Sequence, residues 1–253
     1  MPSNDFTAIL LSERKKLLET LRQTEFTRLD PALTHRQVIP LASYSPWYDD
    51  ADFMNIYEEI KSNTLVDIYR CYELWKSVKS VEGLDGDVVE VGVWRGGTGA
   101  LICKACETEE NTKVYLADTF EGVVKAGAHD TIYKGGEHAD TTEEEVLGLL
   151  SRLSIKNFQV IKGIFPDALP ANIQLNDIKL CHIDVDTFES AKDIFEYAWP
   201  RLVVGGIIIF DDYGFWGCEG VTHYVNSLKL PHSHIVHNLN GHALIIKTGS
   251  ATK

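Results

Sequence analysis

No stretch of the 253-residue chain is apolar for the roughly 18 residues that a membrane span needs, and its opening, MPSNDFTAIL, lacks the basic-then-apolar order of a secretion signal. A cytoplasmic protein is expected. Positive charge is also scarce: 24 Lys and Arg stand against 37 Asp and Glu, a formal net charge of −13 that leaves no broad basic surface for a phosphate backbone. Nucleic acid and membrane are thereby set aside as partners. The five cysteines, Cys71, Cys103, Cys106, Cys181 and Cys218, are odd in number and scattered, which fits reduced thiols better than a disulfide framework. Neither a G-x-G-x-x-G dinucleotide fingerprint nor a G-x-x-x-x-G-K-[ST] phosphate loop occurs, so neither pyrophosphate nor triphosphate is favoured as a ligand.

What the chain does have, at 44% hydrophobic residues, is enough apolar matter for one α/β domain with an added segment. Residues 8–25 carry apolar side chains at helical spacing with charges between, an amphipathic helix that could pack on the core or on another copy in a homo-oligomer. Residues 30–50 hold Pro31, Pro40 and Pro46 beside Tyr44, Trp47 and Tyr48, an aromatic-bearing loop. Helical periodicity returns over Ile56–Val81. After Gly83 the pattern becomes strand, turn, helix, repeated, with strands expected at Asp87–Val91, Val114–Ala117, Phe158–Ile161, Ile178–Ile183 and Ile207–Phe210, and two more at His234–Val236 and Ala243–Lys247. Such alternation predicts a doubly wound, mostly parallel sheet.

Chemistry concentrates at the expected strand ends, where open α/β sheets bind ligands. Asp184-Val185-Asp186 and Asp211-Asp212 each follow an apolar run. Three carboxylates within about 5 Å of one another would repel by roughly 3 kcal/mol per pair at an effective dielectric near 20, which a hard cation or protonation must relieve. The first strand leads into Glu90-Val91-Gly92-Val93-Trp94-Arg95-Gly96-Gly97-Thr98, a glycine-bearing turn before a helix, where backbone can approach a ligand closely and helix N–H groups are unpaired. The second ends in Ala117-Asp118-Thr119-Phe120-Glu121-Gly122, an acid where a ribose diol is often held. Together they point to an adenosine-containing cofactor.

From about Asn63 to Asn226 these strings resemble the macrocin O-methyltransferase family of S-adenosylmethionine- and Mg²⁺-dependent sugar methyltransferases. The likeness runs through Gly86–Gly97, Asp118–Gly122, Asp184-Val185-Asp186-Thr187-Phe188-Glu189-Ser190 and Gly205-Gly206 to Asp211-Asp212-Tyr213-Gly214. It implies a Rossmann-like class I methyltransferase, with residues 1–82 a helical extension on the substrate side and residues 83–253 the cofactor-binding domain. It further implies that Asp184, Asp211 and Asp212 hold Mg²⁺, that Asp186 is the general base, and that Glu90, Gly92, Asp118, Thr64 and Phe165 surround S-adenosylmethionine. His182 departs from the pattern at a position usually apolar.

The implied chemistry meets a physical need. An aliphatic hydroxyl holds its proton about as tightly as water, near pKa 16, and a coordinated metal lowers such a value by many units. On an extended chain Asp184 and Asp186, two residues apart, face the same way, giving a ligand and a base on one side with roles that could be exchanged. Substrate choice is then expected in two covering segments. One is Ala42–Asp52, with Trp47 stacking on a sugar ring, and the other the glycine-bearing connection Val123–Thr141, a lid containing His129 and His138. The C-x-x-C of Cys103 and Cys106 reads as helix packing, and His232, His234 and His237 as ordinary histidines. The acceptor is expected to be a sugar or glycosylated small molecule. A catechol-type O-methyltransferase, a nicotinamide dehydrogenase and a non-catalytic binding protein are the rivals.

Overall fold

The computed structural model describes residues 4–23, 44–237 and 241–250. The chain divides into two units, residues 1–46 and 47–253. Among the described residues, the first holds α1 (Asn4–Gln23), stitched on its surface by Lys16 to Glu13 at 2.7 Å, with Ile9, Leu10, Leu11 and Leu17 exposed.

The second unit begins with two helices, α2 (Ala51–Ile60) and α3 (Ile68–Ser80). The sequence pattern reads as one helical stretch over Ile56–Val81; the structure breaks it at residues 61–67. Asp67 causes the restart, its side chain accepting from the Tyr69 and Arg70 amides as an N-cap. Four strands and two helices follow: β1 (Asp87–Val91), α4 (Gly97–Ala105), β2 (Val114–Asp118), α5 (Glu143–Arg152), β3 (Phe158–Lys162) and β4 (Ile178–Ile183). Then come α6 (Phe188–Arg201), β5 (Leu202–Phe210), α7 (Glu219–Ser227), β6 (Ser233–His237) and β7 (Ala243–Lys247). The strands form a single sheet in the order β3-β2-β1-β4-β5-β7-β6. All are parallel except β7, which runs antiparallel to both β5 and β6. This is the doubly wound, mostly parallel Rossmann-like arrangement expected.

Alternation along each strand sends side chains to two cores. Val88, Leu116, Leu180 and Ile209 face α2, α3, α4 and α5 on one side, while Val89, Ala117, Cys181 and Ile208 face α6 and α7 on the other. Cover on both faces makes β4 buried at all six positions, the reason its sequence is a nearly continuous apolar run. Its fully buried Lys179 is neutralised by Glu109 and donates to Thr112 at 2.8 Å. All five cysteines are buried and unpaired. Among the described residues no helix is long and apolar enough to cross a membrane.

Because β1, β4 and β5 lie side by side, their carboxyl ends emerge together. The Asp184 amide donates to the Val91 carbonyl and the Asp211 amide to Ile183, each at 2.9 Å, so one more rung of the ladder carries the acidic residues past the sheet edge.

Candidate active site

A cavity of about 290 Å³ opens over these strand ends. Its floor is Gly92 with Asp184, Asp186, Asp211 and Asp212; Thr64, Arg70, Asp118 and Phe165 stand in its walls. Of the expected cofactor residues, Gly92, Asp118, Thr64 and Phe165 reach it. Glu90 does not: its side chain is fully buried, 3.1 Å from His182 Nδ1, and its Oε2 has no hydrogen-bond partner. Strand alternation explains this, since Glu90 points into the layer beneath α4.

The glycine turn is tight because protein crowds it. A Cβ on Gly92 would lie 1.6 Å from the Asp184 carbonyl oxygen, and one on Gly97 2.6 Å from that of Asn63. The Gly97 amide donates to that Asn63 carbonyl at 3.0 Å, which brings the α2–α3 connection and Thr64 to the cavity. Asp118 organises the turn from the other side, its Oδ2 accepting from the Val93 and Trp94 amides at 2.7 and 2.8 Å and its Oδ1 from Phe120 at 2.7 Å.

Asp184, Asp211 and Asp212 each present an oxygen within 4.8 Å of the other two. Asp186 falls in a different group, with Asp212 and Cys218. It is not on an extended chain as the two-residue spacing predicts: its φ is +62°, left-handed for a non-glycine residue, and its amide donates to Asp212 Oδ2 at 3.0 Å. That local bond holds an otherwise unfavoured conformation. Asp212 belongs to both groups and links Asp186 to the three converging carboxyls.

Electrostatics separate these carboxyls. Burial, then the charges of Asp211, Asp212 and Asp186, push Asp184 well above the ordinary carboxylate range, and burial with Asp186 and Asp211 does the same to Asp212. Asp186 is raised mainly by burial. Asp211 is the exception. Burial alone would raise it, but the Arg70 guanidinium, the nearby His182 ring with its Nε2 3.6 Å away, and a hydrogen bond from His242 hold its carboxyl well below the usual range. Arg70 Nη1 binds its Oδ2, and His242 Nε2 lies 2.8 Å from its Oδ1. His242 Nδ1 meets Glu73 at 2.6 Å, so both ring nitrogens face carboxylates; desolvation would lower the ring's pKa, but the hydrogen bonds to Asp211 and Glu73 raise it. His182 sits between Glu90 and Asp211; desolvation would lower its pKa, yet the two acids raise it to about 9.

An all-oxygen set in which burial and neighbouring carboxylates displace Asp184 and Asp212 toward protonation while Asp211 stays ionised fits a hard divalent cation. Arg70, Glu73 and His242 went unread in the sequence because nothing local marks them: Arg70 lies 141 positions from its partner Asp211.

Trp47, expected over the acceptor, is not in the cavity. It packs edge-on against Tyr69 and Tyr72 at 5.2 and 6.1 Å, in the hydrophobic cluster of α2 and α3. Besides Phe165, the cavity is lined by the aromatic rings of Trp94, Tyr133, Phe215 and Trp216, the last 50% exposed. Phe215 and Trp216 lie just beyond the acidic pair, in a segment whose only sequence signal is two large aromatics in a glycine-flanked loop. The Val123–Thr141 connection does cover the site: it contributes Val123, Val124, Lys125, Tyr133 and His138 to the wall.

The macrocin-O-methyltransferase (TylF) family matches residues 60–238. The chain is 32% identical over 175 residues to the 8-demethyl-8-(2,3-dimethoxy-alpha-L-rhamnosyl)-tetracenomycin-C 4'-O-methyltransferase of Streptomyces olivaceus, covering 64% of this chain and 67% of that one. It is 30% identical over 178 residues to the mycinamicin III 3''-O-methyltransferase of Micromonospora griseorubida, covering 64% and 69%. Among solved structures it superposes on the O-methyltransferase NovP with a TM-score of 0.64 at 24% identity, over 74% of this chain and 83% of that one. A calicheamicin methyltransferase gives 0.60 at 16% identity, over 86% and 100%. Both structural matches speak to fold.

Proposed function

The chain belongs to the macrocin O-methyltransferase family and is an O-methyltransferase, and from that premise we propose that it methylates a sugar hydroxyl of a glycosylated small molecule. S-adenosylmethionine supplies the methyl group, and a divalent cation, Mg²⁺ in this reading, supplies charge that lowers the pKa of the hydroxyl. The observation that carries the proposal is the convergence of Asp184, Asp211 and Asp212, with Asp186 in a neighbouring group that shares Asp212.

In this reading Asp184, Asp211 and Asp212 hold the cation. Arg70 and His242 keep Asp211 ionised and fixed, so that one ligand is charged before any metal arrives. Asp186, raised by burial, is the general base that accepts the hydroxyl proton. Gly92, Asp118, Thr64 and Phe165 hold the methyl donor along the turn after β1. The two curated relatives act, by name, on a rhamnosyl tetracenomycin and on mycinamicin III, which supports a glycosylated natural product as the acceptor class.

Methyl transfer from labelled S-adenosylmethionine to rhamnosylated polyketides, with catechol as a control and with Mg²⁺ or chelator, tests this. Mg²⁺-dependent methylation on the sugar is expected. Asp212→Asn should abolish that turnover while S-adenosylhomocysteine affinity stays within about tenfold, because a cation ligand serves hydroxyl activation more than donor binding. Turnover indifferent to chelation, or transfer to catechol alone, would overturn the reading.

A further inference from the structure

Arg70, on the first turn of α3, is buried although it stands in the cavity wall, and three contacts hold its guanidinium. Nε donates to Asp67 Oδ2 at 3.0 Å, Nη1 donates to Asp211 Oδ2, and Cζ lies 4.5 Å from the centre of the Phe215 ring. A guanidinium laid over an aromatic face is attracted by the ring's quadrupole and keeps its N–H edges free for carboxylates. The ring therefore holds Arg70 without competing for the hydrogen bonds it makes.

Phe215 is itself exposed, so burial does not fix its ring; backbone does. Its amide donates to the Asp212 carbonyl at 3.3 Å, in the turn that follows the acidic pair. On the other side Gly241 has φ +99°, and a Cβ there would stand 1.9 Å from Phe215 Cε2 and 2.7 Å from Cζ. Only glycine leaves room for the ring. The next residue, His242, reaches Asp211 Oδ1 at 2.8 Å. The contacts close a circuit from Asp211 through Arg70, Phe215 and Gly241-His242 back to Asp211, one carboxylate oxygen held from α3 and the other from the approach to β7.

We propose that Phe215 is a positioning residue for the acidic centre: its ring, seated on Gly241, keeps the Arg70 guanidinium on Asp211 and so keeps Asp211 turned toward Asp184 and Asp212. This deepens, and rests on, the reading in which Asp211 helps to hold the cation. The ring is needed for its face, since an aliphatic side chain of similar reach would occupy the seat without binding the guanidinium.

Structure and metal binding test this separately on the full chain. Crystal structures of the wild type and Phe215→Leu with S-adenosylhomocysteine should show the Arg70 guanidinium off Asp211, or in two rotamers, in the variant alone, with α3 unmoved. An Arg70 unchanged in the variant overturns the proposal. Titration with Mn²⁺, an oxygen-seeking and paramagnetic stand-in for Mg²⁺, should show binding about tenfold weaker in Phe215→Leu with S-adenosylhomocysteine affinity within about threefold. Gly241→Ala keeps the ring but takes its seat, so it should weaken Mn²⁺ binding to a similar degree, and the two substitutions together should weaken it little more than either alone. Fully additive losses would overturn the circuit. Mn²⁺ binding as tight as the wild type's, or tighter, in both variants would show that the placement of Arg70 does not serve the cation and would overturn the positioning role. With a rhamnosylated polyketide that the wild type methylates, a rise in KM at unchanged Mn²⁺ affinity would make Phe215 an acceptor contact instead. A wild type that binds no Mn²⁺ would remove the cation reading itself, while the two crystal structures still decide whether Phe215 holds Arg70.

Discussion

A Cβ on Gly92 would fall 1.6 Å from the Asp184 carbonyl oxygen, and Gly92 itself has φ +92°, so this residue is fixed twice over. Gly92→Ala must push β1 and β4 apart at the point where both meet the cavity. We expect a loss of about 2–4 kcal/mol in urea unfolding, together with weakened S-adenosylhomocysteine binding. A loss under about 0.5 kcal/mol would show that the strand ends can separate freely. The sequence marks this turn correctly, but glycine there suggests close approach of a ligand, whereas the nearest obstacle is the neighbouring strand. Glu90 errs in the same way: a motif locates a residue along the chain, and strand alternation then decides whether its side chain meets the ligand or the layer beneath. For Asp186 a spacing rule that assumes extended backbone fails because its φ is +62°.

At the scale of elements, the buried strands announce themselves because cover on both faces favours runs of apolar residues, as in Ile207–Phe210 of β5. The break between α2 and α3 is harder to see, since apolar periodicity runs across it; Ser62-Asn63-Thr64 and the capping Asp67 were the available signs. Partners brought together by the fold, such as Arg70 and His242 with Asp211, leave no local pattern to read. The two aromatic segments are the clearest test of where substrate choice resides. Trp216→Ala should raise KM for a glycosylated acceptor about tenfold with S-adenosylhomocysteine binding intact, because an exposed ring at the cavity mouth can stack on a sugar face. Trp47→Ala should instead cost about 2–4 kcal/mol of stability in chemical unfolding with KM unchanged, since its contacts are to Tyr69 and Tyr72. The opposite pattern of KM effects would return the acceptor to the segment before α2.

For the molecule as a whole, the acidic balance makes stability depend on protons and cations. Asp184, Asp186, Asp212, His182 and His242 all have raised pKa values in the folded state. The folded protein therefore holds more protons than the unfolded chain from the ordinary carboxylate range upward, and stability falls as pH rises. His182 shows the sign: its contribution is complete below about pH 6.5 and lost as pH climbs through about 9, on the order of 3 kcal/mol. Asp211, depressed, works oppositely and matters only in acid. In chelator, Tm by calorimetry should decline between pH 6 and pH 9, and Mg²⁺ should raise it most at the alkaline end by replacing the protons it displaces. A Tm that does not respond to Mg²⁺ at any pH would remove the cation from the acidic cluster.

His242, one residue before β7, is the part of the acidic site encoded furthest along, well after Asp211 and Asp212. During synthesis, the ribosome delivers β1 to β4, the glycine turn and Asp118 first, so the chain can shape a donor pocket while the partner that clamps Asp211 is still unmade. The order of translation thus places assembly of the donor pocket before completion of the acidic centre, and a ribosome-tethered chain ending before His242, with a linker that carries it clear of the exit tunnel, is expected to retain S-adenosylhomocysteine while remaining unable to transfer a methyl group.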